Sequence, residues 1–262
     1  MKAALVGVIH LPPLPGSPRS AEPVSAIAKR CEEDAKILAG AGYDAVVVEN
    51  FGDTPFVRGG VPPVTVAAMT ACAIAVRAAA PELSVAVNVL RNDALAALSI
   101  AHVVGARAIR VNVHTGARVT DQGLIEARAD ETLRERRNLG AGKVEIWADV
   151  DVKHSAPLGV RSLDQEVADT CERAMADRIL VTGDGTGKGV DLTKLARVKV
   201  ASTRPVLVAS GATLESLPAL GEHADGVIVG SALREGGRAG GPIDDKRARE
   251  FAAAFRDAFG RP

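Results

Sequence analysis

The stretch "EIWADVDVKHSAP", residues 145–157, combines two features that seldom share a strand. Ile146, Ala148, Val150 and Val152 form one apolar series. Trp147, Asp149, Asp151 and Lys153 take the alternate positions, and His154 follows. A strand sends alternate side chains to opposite faces. Charge is costly in a core unless it is paired or used. The second series therefore calls for an enclosed polar interior, and the first for a cover of helices. One strand of a closed parallel barrel meets both demands.

Seven further runs repeat the pattern: "ALVGVIH" (4–10), "DAVVVE" (44–49), "SVAVNVL" (84–90), "AIRVNV" (108–113), "RILVTG" (178–183), "PVLVAS" (205–210) and "GVIVG" (226–230). Most are nearly continuous apolar segments, as expected of parallel strands covered on both sides. Helical periodicity lies between them, at 24–41, 64–80, 93–105 and 244–259. The last of these puts Phe251, Phe255 and Phe259 on one face, read as a core stripe. Connections from helix to strand are short ("GAGYD", "GAR", "STR"). Those from strand to helix are long and rich in Gly and Pro. Eight strand-then-helix units predict an α/β protein with a single (β/α)8 TIM barrel domain over residues 1–262. Its long loops gather at the C-terminal ends of the strands, where barrel sites lie. A doubly wound open sheet is the second choice, but no GxGxxG follows the first strand.

Composition narrows the partners. Lys plus Arg and Asp plus Glu both number 32, which leaves no electrostatic footprint for nucleic acid. Aromatic residues are 3%, too few for a base-stacking platform. Cys31, Cys72 and Cys171 form no CxxC pair. Cys31 and Cys72 fall in helical patterns and read as small core residues in a reducing compartment. There is no membrane-length apolar run and no signal-peptide pattern. The expectation is a soluble cytoplasmic protein without an integral membrane segment, its homo-oligomeric state open.

Parity then selects a site. In the fourth run Ile109, Val111 and Val113 face the helices, so Arg110, Asn112 and His114 point inward. In the third, Asn88 points inward. In the second, parity does not choose between Glu49 and Asn50. The expected interior polar set is His10, Glu49, Asn50, Asn88, Arg110, Asn112, Asp149, Asp151 and Lys153. One reading is a buried ion-pair layer, with Arg110 against Asp149. Buried pairs rarely add net stability, so a pocket is the preferred reading. Its catalytic candidates are Glu49, Arg110, Asp149, Asp151, Lys153 and His154. Asp149 or Asp151 would act as general acid or base, tuned by Arg110 and Lys153. Lys153 is also placed to be a Schiff-base amine or a simple cation. His10, Asn50, Asn88, Asn112 and Asp121 are the substrate-binding candidates. Asp149→Asn is expected to abolish turnover and leave the fold intact.

"ASGATLESL" (209–217) and "VGSALREGG" (229–237) each put Gly and Ser where a strand passes into an expected helix N-terminus. Free N–H groups there attract anions. The loops after the seventh and eighth barrel strands are a recurring phosphate site. Ser210, Gly211, Gly230 and Ser231 are assigned to it. "VTGDGTGKGVD" (181–191) adds Thr182, Gly183, Thr186 and Lys188. It misses the Walker pattern twice, with Thr182 at the first Gly position and Gly189 in place of Ser or Thr, which disfavours a nucleoside triphosphatase. Glu49, Asp149 and Asp151 offer oxygen ligands suited to magnesium, which stays open as a cofactor, but no metal site is assigned.

The motifs "GVIHLPPLPGSP" (7–18), "VENFGDTPF" (48–56), "NVLRNDALAALSIA" (88–101), "IRVNVHTGARVTDQG" (109–123), "ADVDVKHSAP" (148–157) and "ASGAT…ADGVIVGS" together resemble the BtpA/SgcQ family nearly end to end. The resemblance implies a barrel. It also implies one of two roles: an enzyme of sugar-phosphate or nucleotide metabolism, or photosystem I biogenesis with peripheral membrane association. The family positions matched are His10, Glu49, Asn50, Asp53, Asn88, Arg91, Asn92, Asp93, Arg110, Asn112, Asp121, Asp149, Lys153 and His154. Asp93 has a simpler reading as the cap of a helix starting at Ala94. The expectation is an enzyme binding a small phosphorylated metabolite, with isomerase, aldolase or lyase-type acid–base chemistry. The alternative is a non-catalytic assembly factor or partner-binding protein.

Overall fold

Each of the eight apolar runs forms a strand in the computed structural model, which describes residues 3–183 and 189–260. The first half of the chain gives β1 (Ala4–His10), α1 (Val24–Ala41), β2 (Ala45–Glu49), α2 (Pro63–Ala79), β3 (Ser84–Asn88), α3 (Ala94–Val104), β4 (Ala108–Val111), β5 (Ala117–Thr120), β6 (Gly123–Glu126) and α4 (Ala129–Asn138). The second half gives β7 (Glu145–Val150), β8 (Ser155–Pro157), α5 (Leu163–Ala168), β9 (Arg178–Thr182), α6 (Leu192–Ala201), β10 (Val206–Ser210), α7 (Leu217–Gly221), β11 (Gly226–Val229) and α8 (Asp245–Ala258). The strands close into a parallel barrel in the order β1-β11-β10-β9-β7-β4-β3-β2. This is the TIM barrel expected from the loops and parity.

Local chemistry sets the boundaries. Asp93 accepts a hydrogen bond from the Ala96 N–H and so caps α3. Gly105 ends the same helix in the left-handed conformation, its N–H returning to the last carbonyls. Alternation then builds two cores. Val46, Val48, Val85, Val87, Ile109 and Ile146 face outward and pack under the helices. Val8, Val47, Ala86, Ala108, Trp147 and Leu180 fill the inside. At the N-terminal end of the barrel Trp147 donates its indole N–H to Glu145, and the Arg178 guanidinium lies 5.5 Å from the ring centroid. In α8, Phe251 and Phe255 are fully buried, as the stripe required.

Two expectations about loops change. The segments after the fourth and fifth barrel strands are not only loops. They pair as a small antiparallel sheet in the order β6-β5-β8, with Asp121 and Gln122 forming a two-residue turn. The second change concerns the helices after the last two barrel strands. Beyond β10 the α-helix starts only at Leu217, and beyond β11 the chain makes two short 3-10 turns, Ser231–Leu233 and Glu235–Gly237, before α8. Neither Gly-Ser segment is the first turn of an α-helix, so a helix dipole contributes little at either.

Candidate active site

Strand register places four polar side chains at one level. His10 pairs with Glu49, Glu49 with Asn88, and Asn88 with Arg110 across four adjacent strands. Residues in register share a face, so all four point inward, directly above the apolar plug. This settles the Glu49 parity. Above the ring lies a cavity of about 540 Å³ at the C-terminal mouth of the barrel.

Glu49 stands between two nitrogens, 3.7 Å from His10 Nε2 and 3.9 Å from Arg110 Nη1. Burial, reinforced by Arg234, Lys153 and Arg110, holds the His10 pKa well below its ordinary value. The ring is therefore neutral at pH 7. Its Nδ1 accepts from the Gly240 N–H at 3.3 Å, so its proton sits on Nε2, toward Glu49. Phe51 covers one edge of the ring at 4.6 Å between centroids. On another side lies Gly230, where a Cβ would stand 2.9 Å from His10 Cε1. Only glycine lets the imidazole sit there.

The Arg110–Asp149 pair is made in full. Arg110 Nε and Nη2 each donate to Asp149 at 2.9 Å, and Asn112 Nδ2 donates to it at 2.9 Å. Asn88 Nδ2 donates to Asn112 Oδ1 and to the Arg110 carbonyl. The Asp149 side chain has no exposed surface and does not line the cavity. This corrects its assignment as general acid or base. Its oxygens serve Arg110 and Asn112, which do line the cavity, and it positions them.

Beyond Val150 the alternation fails for a local reason. Asp151 takes φ of +45°, off the strand, and its carboxylate turns away to Arg118 and Lys194 at 2.6 Å each. Burial raises its pKa, but these two cations win and hold it low. Asp151 is thus an anchor beside the cavity rather than a group in it. Lys153 returns to the cavity. Its N–H donates to Thr182 Oγ1 at 3.1 Å and its carbonyl accepts from Arg91 Nη2 at 3.0 Å. With the backbone held on both sides, Nζ reaches Ser210 Oγ at 2.9 Å. Burial and the neighbouring Arg110 lower the Lys153 pKa, although Glu49 and Asp149 oppose them. His154, at φ of +56°, also lines the cavity, and burial and Lys153 lower its pKa.

The proposed phosphate residues Ser210, Gly211, Gly230 and Ser231 line the same cavity as Arg91 and Asp121. A register shift between Val208 and Ser210 lets both Ala209 and Ser210 face inward. Gly211, at φ of +84°, turns the chain away from the strand. Arg234, within the 229–237 segment but given no role by the sequence, is 1% exposed and donates to the carbonyls of Val8, Gly230 and Gly241. Burial pulls its pKa down to about 10.

Other candidates fall elsewhere. Asn50 binds Asp53 and the Leu90 backbone, so it ties loops together. Thr182 and Gly183 are buried and do not line the cavity, and Thr186 and Lys188 lie outside the described residues. Asn92 clasps the Val113 backbone. His114 leaves the barrel interior and bonds the Ala174 carbonyl at 3.0 Å. Asp121 reaches the cavity because the small sheet carries its turn over the mouth. Sequence parity missed the wall formed by Phe51, Thr54, Phe56 and Arg91. The "ENFGDTPF" and "RND" motifs were its only signal. Among the described residues no three His, Cys, Asp or Glu side chains converge as a metal site. Glu49 and Asp149 both face the Arg110 guanidinium, and Asp151 turns away to Arg118 and Lys194, so the three carboxylates do not converge on one point.

A closed eight-stranded barrel with an ionisable cavity at its C-terminal mouth defines a TIM-barrel protein. The BtpA family model matches residues 1–257, and the chain belongs to the BtpA family. It is 44% identical over 258 residues to the photosystem I biogenesis protein BtpA of Synechocystis sp., covering 97% of this chain and 88% of that protein. Among solved structures, a thiamine phosphate pyrophosphorylase from Pyrococcus furiosus superposes with a TM-score of 0.60 at 15% identity, covering 98% of each chain. N-(5'-phosphoribosyl)anthranilate isomerase from the same organism gives 0.58 at 15% identity, covering 97% of this chain and 99% of that one. At these identities the likeness is one of fold. No described helix is long and apolar enough to cross a membrane.

Proposed function

We propose that the chain, as one barrel domain of the cytoplasm, is an enzyme acting on a small phosphorylated metabolite, a sugar phosphate or nucleotide-like compound. Its chemistry is acid–base, of the isomerase, aldolase or lyase kind. One observation carries this reading. Ser210, Gly211, Gly230 and Ser231 share a single cavity wall system with Lys153, Glu49 and His10. A phosphate held on the Gly-Ser segments puts the rest of a small substrate within reach of the ionisable ring. Glu49 is the general base, the neutral His10 with its Nε2 proton is the acid, and Arg110 stabilises developing negative charge.

Thermal melting against inorganic phosphate and a panel of sugar phosphates, with and without magnesium, tests this. A ligand at 100 times its Kd stabilises by about 2.7 kcal/mol, which for a chain of this size raises Tm by roughly 5–10 °C. Ser231→Asp places a negative charge where the phosphate docks and should erase the shift. A panel without any shift sinks the phosphate assignment.

One observation favours a second reading, a partner-binding or assembly role like that named for the Synechocystis relative. Val119, Leu124 and Leu158 are exposed on one face of the small sheet, with Val119 and Leu124 directly paired. Capture of a partner from native extract by the wild type but not by Leu124→Lys, with no ligand shift, would favour it over the enzyme.

A further inference from the structure

We propose that Lys153 is a covalent catalyst, and that the substrate is a phosphorylated aldehyde or ketone whose carbonyl condenses with its Nζ. This deepens the reading above and rests on it for the phosphate. Three features of the geometry support it.

The first is aim. A nucleophilic amine must be held toward the reacting carbon. The Lys153 backbone is clamped by Thr182 on one side and Arg91 on the other. Its Nζ is thereby carried to the wall where Ser210 begins the proposed phosphate loop, 2.9 Å from the hydroxyl. A substrate with its phosphate on that wall presents carbons one or two bonds away to the amine.

The second is the charge around it. Only an unprotonated amine attacks, and a lysine becomes one at neutral pH when it is buried or set beside other cations. Lys153 has both conditions, since burial and then Arg110 and Arg91 act on it, against the opposing carboxylates Glu49 and Asp149.

The third is the proton traffic. In the first step the amine adds to the carbonyl carbon. A C–N bond forms, the π pair moves to oxygen, and a proton passes from nitrogen to that oxygen, giving a carbinolamine. In the second step the hydroxyl takes one more proton and leaves as water, while the nitrogen lone pair forms the C=N bond. The sum is one neutral amine, one carbonyl and one proton converted to one iminium and one water. The Ser210 hydroxyl is in hydrogen-bond contact with Nζ, and the His10–Glu49 couple lines the same cavity. These are groups suited to carrying the protons of both steps.

Pyridoxal 5'-phosphate is the probe, because it joins an aldehyde to a phosphate in one small molecule. The full chain is mixed with a limiting amount, reduced with borohydride, and digested for peptide mass spectrometry. Borohydride delivers hydride to the iminium carbon and leaves a stable secondary amine. For each unit by which a lysine pKa falls, its reactive fraction at neutral pH rises about tenfold. The expected result is labelling of Lys153 far ahead of the exposed Lys246, suppressed by excess inorganic phosphate and removed in Lys153→Arg. Mapping on the wild type keeps the test valid if that variant folds poorly. Label spread evenly over surface lysines, with Lys153 at or below them, overturns the proposal. If pyridoxal lacking the phosphate labels Lys153 equally, and phosphate gives no protection, the covalent role stands and the phosphate site falls. If phosphate raises Tm but Lys153 stays unlabelled, the phosphate site stands and the covalent role falls.

Discussion

At the scale of residues, the deepest charge is structural. The Asp149 side chain accepts three hydrogen bonds and has no exposed surface. Removing one partner of a buried pair leaves the other charge uncompensated and costs about 3–5 kcal/mol. Asp149→Asn is therefore expected to lower stability by that order, not merely turnover. A urea midpoint equal to that of the wild type would show that Arg110 has other support. His10 sets a pH dependence. In the unfolded chain a histidine takes up its proton at about pH 6.5, whereas folded His10 does so only at lower pH. Between those values the unfolded state binds more protons, so stability falls as pH drops through that window. Above it both states are neutral and His10 contributes nothing. The slope from one such group is at most roughly 1.4 kcal/mol per pH unit. His10→Gln should flatten the fall seen in urea midpoints between about pH 7 and pH 5; identical slopes in the two proteins would mean that His10 is not the group responsible.

At the scale of elements, what was legible depended on how regular the backbone stays. Alternation placed Asn88 and Arg110 inside because both lie within the regular strands β3 and β4, and Asn112, one residue past β4, still lines the cavity. It placed Asp151 wrongly because a left-handed residue breaks the period at the end of β7. No composition signal marks that break, since aspartate is common in strands' terminal turns and loops alike. The small sheet was equally hidden: β5, β6 and β8 are three or four residues each, β5 and β6 in one strand-to-helix connection and β8 in the next. Arg118 is the link that holds them. It is 4% exposed and reaches Ser155, Asp151 and Glu166. Arg118→Ala should loosen this sheet alone. Amide exchange is expected to speed up over residues 117–126 and 155–157 while the barrel strands keep their protection. Uniform loosening of the barrel would place Arg118 in the global core instead.

At the scale of the whole molecule, the repeat of eight strand-then-helix units was readable because each strand must satisfy the same two-sided environment. The inner layer was less so, since it mixes the small Ala45, Ala86 and Ala108 with one aromatic residue, Trp147. Truncating a buried tryptophan costs about 3–5 kcal/mol. Trp147→Ala is expected to lose that much in a chemical denaturation experiment, with the cavity at the far end unchanged toward phosphate. Loss of phosphate response at a temperature where the variant is still folded would mean that the plug and the mouth are coupled. The ring itself closes between the two ends of the chain. β1 pairs with β11, and Arg234 reaches back from beyond β11 to the Val8 carbonyl. During synthesis, β1 therefore waits with one edge unpaired until the last strand has left the ribosome. A chain broken off before Gly226 has an open sheet edge and no wall from Gly230 and Ser231. Such fragments are exposed to edge-to-edge aggregation, and they lack part of the wall of the candidate cavity.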